Sequence, residues 1–287
     1  MLLLTVTIWA LNFTVSKYIL DAGLGPLPYS SLRYSAAALV FVGLTYPRER
    51  SFRIARGDLP LVCLAVILLL TNQLSFVYAL DLTTATTAAL LFGTLPIFTA
   101  LISRLVGIER LGRRFWIAAS VSFAGVILVT AGSGKSVSSN LGGDLLAVLG
   151  AATWGAYSVA ISPLMRRYSP FRLSAIFLAA VSVVLLTLAS PQLSDQSFDF
   201  GALVWIGFAF AVLGPLVLTN LLWFTAIDRV GPARASLFAN LQPFLAAIIA
   251  LLLLDEQLTK AQVAGGFAIA AGILLARERR PPAGAAE

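Results

Sequence analysis

The chain repeats itself once, and the two copies differ most in the charge of their loops. One copy runs through Thr71-Asn72, Phe76, Ala79-Leu80-Asp81, Ala88, Leu90, Pro96 and Glu109 to Ala124-Gly125-Val126-Ile127-Leu128. The other runs through Thr219-Asn220, Phe224, Ala226-Ile227-Asp228, Ala235, Leu237, Pro243 and Glu256 to Ala271-Gly272-Ile273-Leu274-Leu275. Asn72 and Asn220 stand 148 apart, and from Ala79 and Ala226 onward the offset is 147. Such a repeat in an apolar chain is the pattern of transporters assembled from two halves.

The chain must be apolar for that reading to apply, and it is. Hydrophobic residues make up 59% and charged ones 11%, where a soluble domain carries about 25% charge. A helix needs about 20 apolar residues to cross the hydrocarbon core. Ten windows meet that need: 2–20, 27–46, 58–80, 83–105, 114–132, 143–162, 171–190, 202–226, 233–254 and 260–276. Glycine and proline punctuate the breaks, at Gly23, Gly25, Pro26, Pro28, Pro47, Gly132, Gly134, Pro163, Pro170, Pro191, Gly231 and Pro232. The runs are too long, and alternate too little, for barrel strands. The first window has no basic leader region and is interrupted by Asn12 and Lys17, so it reads as a retained span.

Orientation follows from Lys and Arg. With the N-terminus in the cytoplasm, sixteen of the twenty basic residues fall in inside loops or the tail, and only Lys135 and Lys260 fall outside. Lys17 and Arg33 lie within spans near the outer side. The inside loop 104–114 is arginine-rich, whereas its copy, 252–260, is net negative and faces outward. Five spans per half is an odd number, so the second copy must enter the bilayer from the other face. The expected fold is an all-α membrane protein: ten transmembrane helices as two inverted five-helix repeats around a central cavity. The first repeat is 1–132, a linker is 133–142, the second repeat is 143–276, and 277–287 is a short cytoplasmic tail. Both termini are expected on the cytoplasmic side of the cell membrane.

Several classes of chemistry are excluded. Cys63 stands alone in an apolar run and histidine is absent, so no disulfide, metal centre or histidine proton relay is expected. No phosphate-cradling glycine loop or nucleophile–base spacing is present, so neither a cofactor nor an enzymatic reaction is expected. The net charge of +7 sits in short loops between spans, which reads as topology rather than nucleic-acid binding. The expected partners are a small-molecule substrate and the lipid bilayer, with the protein a monomer or homodimer.

A polar solute in mid-membrane needs polar and aromatic side chains facing an interior cavity. The first span places Trp9, Asn12, Phe13 and Ser16 on one face, and the sixth places Trp154, Tyr157, Ser158 and Ile161 on one face. Asn72, Gln73 and Phe76 in the third span, and Asn220, Trp223 and Phe224 in the eighth, supply amides beside rings; the amides would bond substrate or brace a neighbouring helix. Gly93 and Pro96 in the fourth span, and Ser236, Asn240 and Pro243 in the ninth, mark mid-helix proline breaks of the kind that line solute paths. Gln242 points to another part of that helix. Lys17 is expected to snorkel to the headgroups. Arg33 ties helix ends together or screens an anion, with the structural role preferred. Glu109 and Glu256 are expected to cap the fifth and tenth helices. All thirteen acids fall in loops or at helix ends, so a buried carboxylate is not expected to couple transport to protons.

The ordered pieces Trp9 with Asn12-Phe13, Leu32-Arg33-Tyr34, Tyr78-Ala79-Leu80, Pro96 and Gly107-Ile108-Glu109-Arg110-Leu111 resemble the EamA family of the drug/metabolite transporter superfamily. So do their counterparts Ala152-Thr153-Trp154-Gly155, Ala226-Ile227, Asn240-Leu241-Gln242-Pro243 and Leu254-Asp255-Glu256-Gln257-Leu258. Gly93-Thr94-Leu95-Pro96 departs from the more acidic pattern of many relatives. The resemblance implies a ten-helix carrier of small metabolites working by alternating access, and an outward direction. Aromatic walls with amides, and no cluster of buried cations, favour amino acids, aromatic ones among them. The alternative is an exchanger or importer of sugars or nucleotide-linked metabolites.

Overall fold

The computed structural model describes residues 1–132, 140–254 and 259–276, with 250–254 described by their backbone alone. Glu256, Lys135, most of the expected linker and the expected tail lie outside the described residues. The described residues are helical with no strand, and they form ten rods. These are α1 (Leu2–Asp21), α2 (Pro26–Glu49), α3 (Leu59–Leu82), α4 (Ala85–Phe92 and Leu95–Leu105), α5 (Arg113–Gly132), α6 (Leu141–Ile161) and α7 (Pro170–Asp195). They continue with α8 (Ala202–Val212, Leu213–Leu218 and Thr219–Val230), α9 (Pro232–Leu237, Phe238–Leu241 and Gln242–Leu254) and α10 (Lys260–Ala276). Among the described residues, seven helical stretches are long and apolar enough to cross a membrane, with Lys260–Ala276 a shorter apolar helix.

Local chemistry sets the helix ends. Asn140, Thr84 and Ser169 accept from the backbone N–H groups of Gly143, Thr87 and Arg172, satisfying donors left free in a first turn. Prolines sit in the first turns of α2, α7 and α9, where no N–H is needed. Gly231 takes φ 84 to turn α8 into α9. Two helices run past the expected stops: α2 continues through Pro47 and α7 through Pro191, because a proline near a helix end forfeits little bonding.

Three rods are broken inside the apolar window. In α4 the break is at Gly93-Thr94, just before Leu95-Pro96. In α9 it is a 3-10 turn, Phe238–Leu241, just before Gln242-Pro243. Residues 93 and 240 are repeat-equivalent, and each proline opens a new helical segment where its missing N–H costs nothing. In α8 the break is a π-helical turn, Leu213–Leu218, which contains Pro215.

Contacts pair the rods across the two halves. α5 lies along α10 so closely that a Cβ on Gly125 would stand 2.6 Å from the carbonyl oxygen of Gly265, and one on Gly272 would stand 2.6 Å from that of Ala118. One chain number rises as the other falls, so these rods are antiparallel. α2 and α7 are antiparallel too. Gly25 N–H donates to Gln196 Oε1 (2.9 Å) at one end, and Arg172 Nε donates to Glu49 Oε2 (2.7 Å) at the other. Between α3 and α6, Asn72 Nδ2 donates to Gly150 O, and Gly143 abuts Leu82 and Thr83. The main buried core gathers Tyr34, Phe41, Tyr157, Phe177, Trp223 and Phe224 from α2, α6, α7 and α8.

Candidate functional site

A cavity of about 90 Å³ lies between the two halves. The first half lines it with Trp9, Asn12 and Phe13 of α1, Arg33 and Tyr34 of α2, Asn72, Gln73 and Phe76 of α3, and Phe92 and Leu95 flanking the break in α4. The second half contributes Trp154 of α6, Pro215 and Leu216 from the π-helical turn of α8, and Gln242 directly after the 3-10 turn of α9. All three broken rods thus border the cavity. Non-α backbone at membrane depth is tolerated where it is buried in protein or faces such a space.

The aromatic wall is a three-tryptophan cluster. Trp9 stands edge-on to Trp154 with ring centroids 5.4 Å apart, and Trp223 packs 4.9 Å from Trp9 and 6.2 Å from Trp154. Trp9 donates to Thr219 Oγ1 (2.9 Å) and Trp223 donates to Ser158 Oγ (3.1 Å). The Trp154 N–H is buried with no partner among the described residues. A second set of rings, Phe13, Phe76 and Phe92, meets edge-to-face on another side.

The polar wall is organised by Arg33, which is 2% exposed. Its Nη2 donates to Gln73 Oε1 (2.8 Å), and its Nη1 donates to Tyr29 OH (3.1 Å) and, at 3.5 Å, to Asn12 Oδ1. Gln73 in turn donates to Ser30 Oγ (2.9 Å), and the Ser16 and Tyr29 hydroxyls share a bond of 2.7 Å. The guanidinium also sits 4.9 Å from the Tyr29 ring and 5.9 Å from that of Phe76. Rings and neutral oxygens offset part of the cost of a buried cation. Among the described residues no carboxylate pairs with it.

The cavity gathers Trp9, Asn12, Phe13, Asn72, Gln73, Phe76 and Trp154 of the expected site residues. Others stand behind it. Trp223 and Ser158 back the tryptophan cluster, and Tyr157 packs on Trp154 with centroids 5.4 Å apart. Gly93 is pressed against Val126 of α5, and Pro96 is buried just past the α4 break. Asn220 is buried in α8 outside the lining, and Ser236 Oγ bonds its own helix at Ala233 O. Asn240 Nδ2 donates to Ser122 Oγ (3.0 Å), which makes it a brace between α9 and α5, and Pro243 adjoins the lining residue Gln242 without belonging to the lining.

Gln242, which helical phase directs elsewhere, and Arg33, for which the sequence favours a structural role, both line the cavity, and Arg33 also ties α1, α2 and α3 together. Pro215, in the π-helical turn, also lines the cavity, and a proline in the middle of a long apolar run is the legible sign of such a break. Lys17 pairs with Asp21 at 2.8 Å, away from the cavity. Glu109 does not cap its own helix. Its Oε2 accepts from Ser103 Oγ (2.8 Å) and from the Ala233 N–H (2.9 Å), so it caps α9 from the other half. The loop from α4 folds across the bundle end, and the positive start of α9 is the one in reach.

A second, larger space of about 870 Å³ opens at the arginine-rich end, bounded by Leu2, Glu109, Arg166, Asp228, Arg234 and Phe238, among others. Asp81 is at the opposite end, next to Leu82, where α3 meets the start of α6.

The profile of the EamA-like transporter family matches residues 1–131 and again 141–277. The chain belongs to that family. This EamA-like protein is 26% identical to the "Uncharacterized transporter YyaM" of Bacillus subtilis, over 92% of this chain and 88% of that protein. It is 27% identical to the "Probable terminal-alkyne amino-acid exporter" of Streptantibioticus cattleyicolor, over 97% of this chain and 92% of that one. A solved crystal structure superposes with a TM-score of 0.75, covering 95% of this chain and 96% of its own at 18% identity, a likeness of fold. The relatives carry the names of transporters, not enzymes, in line with the expectation from sequence.

Proposed function

We propose that this EamA-like protein moves a small amphipathic metabolite outward across the cytoplasmic membrane by alternating access, and that amino acids, aromatic ones among them, are its substrates. The observation that carries this reading is the cavity itself. It lies between the halves, combines rings with amides, and is bordered by three helix breaks. Its 90 Å³ is far below the roughly 300–1,000 Å³ of a ligand-holding pocket. Substrate entry therefore requires the halves to separate, which is what alternating access supplies. The kinship with a protein named as an amino-acid exporter agrees with the substrate class.

The proposal includes two inverted repeats, 1–132 and 143–276, with both termini cytoplasmic. Its support is the antiparallel packing of the repeat-equivalent rods α5 with α10 and α2 with α7. Exchange of the halves turns the contact of residues 118 and 272 into that of 265 and 125, and both are carbonyl-to-glycine approaches of 2.6 Å. A two-fold axis in the membrane plane has that effect. The test is counterflow in proteoliposomes: external labelled phenylalanine should accumulate transiently when unlabelled phenylalanine is loaded inside. No counterflow with amino acids, but clear counterflow with a sugar phosphate or nucleotide sugar, would replace the substrate class.

A further inference from the structure

Two of the residues that line the cavity carry buried polar atoms that no described residue satisfies, and both atoms are of one kind. Arg33 Nε and Trp154 Nε1 are both N–H donors without an acceptor. Buried donors left unpaired are costly, and the cost is removed when a ligand accepts from them. No residue lining the cavity is a carboxylate, so the guanidinium leaves the site with an uncompensated positive charge. Most of the remaining surface is ring and hydrocarbon, from Trp9, Phe13, Phe76 and Leu216 among others, with neutral amides set between them. A ligand that answers all of this has an anionic acceptor at one end and an apolar body.

We infer that the cavity is a carboxylate-binding site, in which Arg33 Nε and Trp154 Nε1 together hold the acid group of an organic monocarboxylate whose apolar part lies against the phenylalanine and tryptophan rings. This rests on the reading of the cavity as the substrate site and names the group it recognises. Arg33 is held ready by Gln73, Tyr29 and Asn12, which use its Nη atoms and leave Nε free. The two donors come from opposite halves, α2 and α6, so a carboxylate bridging them links the two bodies that must rock. Organic cations and amines, lacking the acceptor and repelled by the guanidinium, are excluded from the site. A polyanion such as a sugar phosphate meets one cation only, and an apolar wall.

The test is ligand binding to the purified full chain in detergent, separate from any measurement of flux, with 3-phenylpropionate, phenylalanine and phenethylamine as probes. Both carboxylates should bind, and phenethylamine should bind at least about 10-fold more weakly, the factor expected for a charged hydrogen bond. Trp154→Phe retains a ring and removes the N–H; it should weaken the carboxylates about 10-fold and narrow their advantage over phenethylamine. Arg33→Lys retains charge without Nε and should do the same or more. Equal or tighter binding of phenethylamine overturns the inference, as does unchanged carboxylate affinity in Trp154→Phe, or no binding of either carboxylate at millimolar concentration. Counterflow of some other solute alongside that last result would leave the transport reading standing while removing the carboxylate site.

Discussion

Replacing Gly125 with alanine tests whether the α5–α10 crossing is as tight as the packing implies. The new Cβ would stand 2.6 Å from Gly265 O, 2.8 Å from Ile269 Cγ1 and 2.9 Å from Ile269 N. Two of these neighbours are backbone atoms, so no side-chain rotation relieves the overlap, and the rods must move apart. Overpacking of this kind costs about 1–3 kcal/mol. Gly43 in α2 is the control, since a Cβ there meets nothing within 4 Å. Alanine is the better helix former by about 1 kcal/mol at both positions. Gly43→Ala should therefore be neutral or stabilising and Gly125→Ala destabilising; the propensity gain is common to both, so the two variants should be separated by the overpacking cost, roughly 1–3 kcal/mol. Thermal unfolding of the purified variants in one detergent, followed by retention of the monodisperse peak, reads that separation. A Gly125→Ala protein melting at or above both Gly43→Ala and the native protein would refute the reasoning.

Other expectations follow from single contacts. Glu109→Ala removes an acceptor shared by Ser103 Oγ and the Ala233 N–H, and should destabilise the protein by about 1–3 kcal/mol in thermal unfolding, whereas Glu109→Gln, which still accepts, should lose less. Cysteines introduced as Asp81→Cys and Asp228→Cys in a Cys63→Ser background should react with an impermeant maleimide from opposite faces of the membrane, and labelling from one face would remove the inverted arrangement. Every described carboxylate lies at a helix end or in a loop. Dissipating the proton gradient in proteoliposomes should therefore leave phenylalanine flux unchanged, and accumulation strictly dependent on that gradient would contradict this.

Hydropathy alone located the ten rods, because a span's length is a local property of the chain and the bilayer's thickness sets it. The repeat pointed to two related halves, and the basic loops supply the orientation proposed for them. Single residues carried less. Trp9, Asn12 and Phe13 were legible as lining because three side chains of one helix face share one direction. Asn240 was not legible as a brace, since the hydroxyl it meets, Ser122, is 118 residues away and on another rod. Glu109 looked like a cap for the helix that follows it, and only the closeness of α9 made it a cap for the other half.

The amino-acid order by itself determined the helical rods, their number and the charge asymmetry of the loops between them, since these depend on neighbours along the chain. Only the tertiary structure decided that Arg33 faces a cavity with one donor unused, and that Trp154 offers another from across the bundle. Whether a buried polar atom is satisfied depends on how each rod is rotated and on what it meets. That is a relation between distant residues, which hydropathy does not encode.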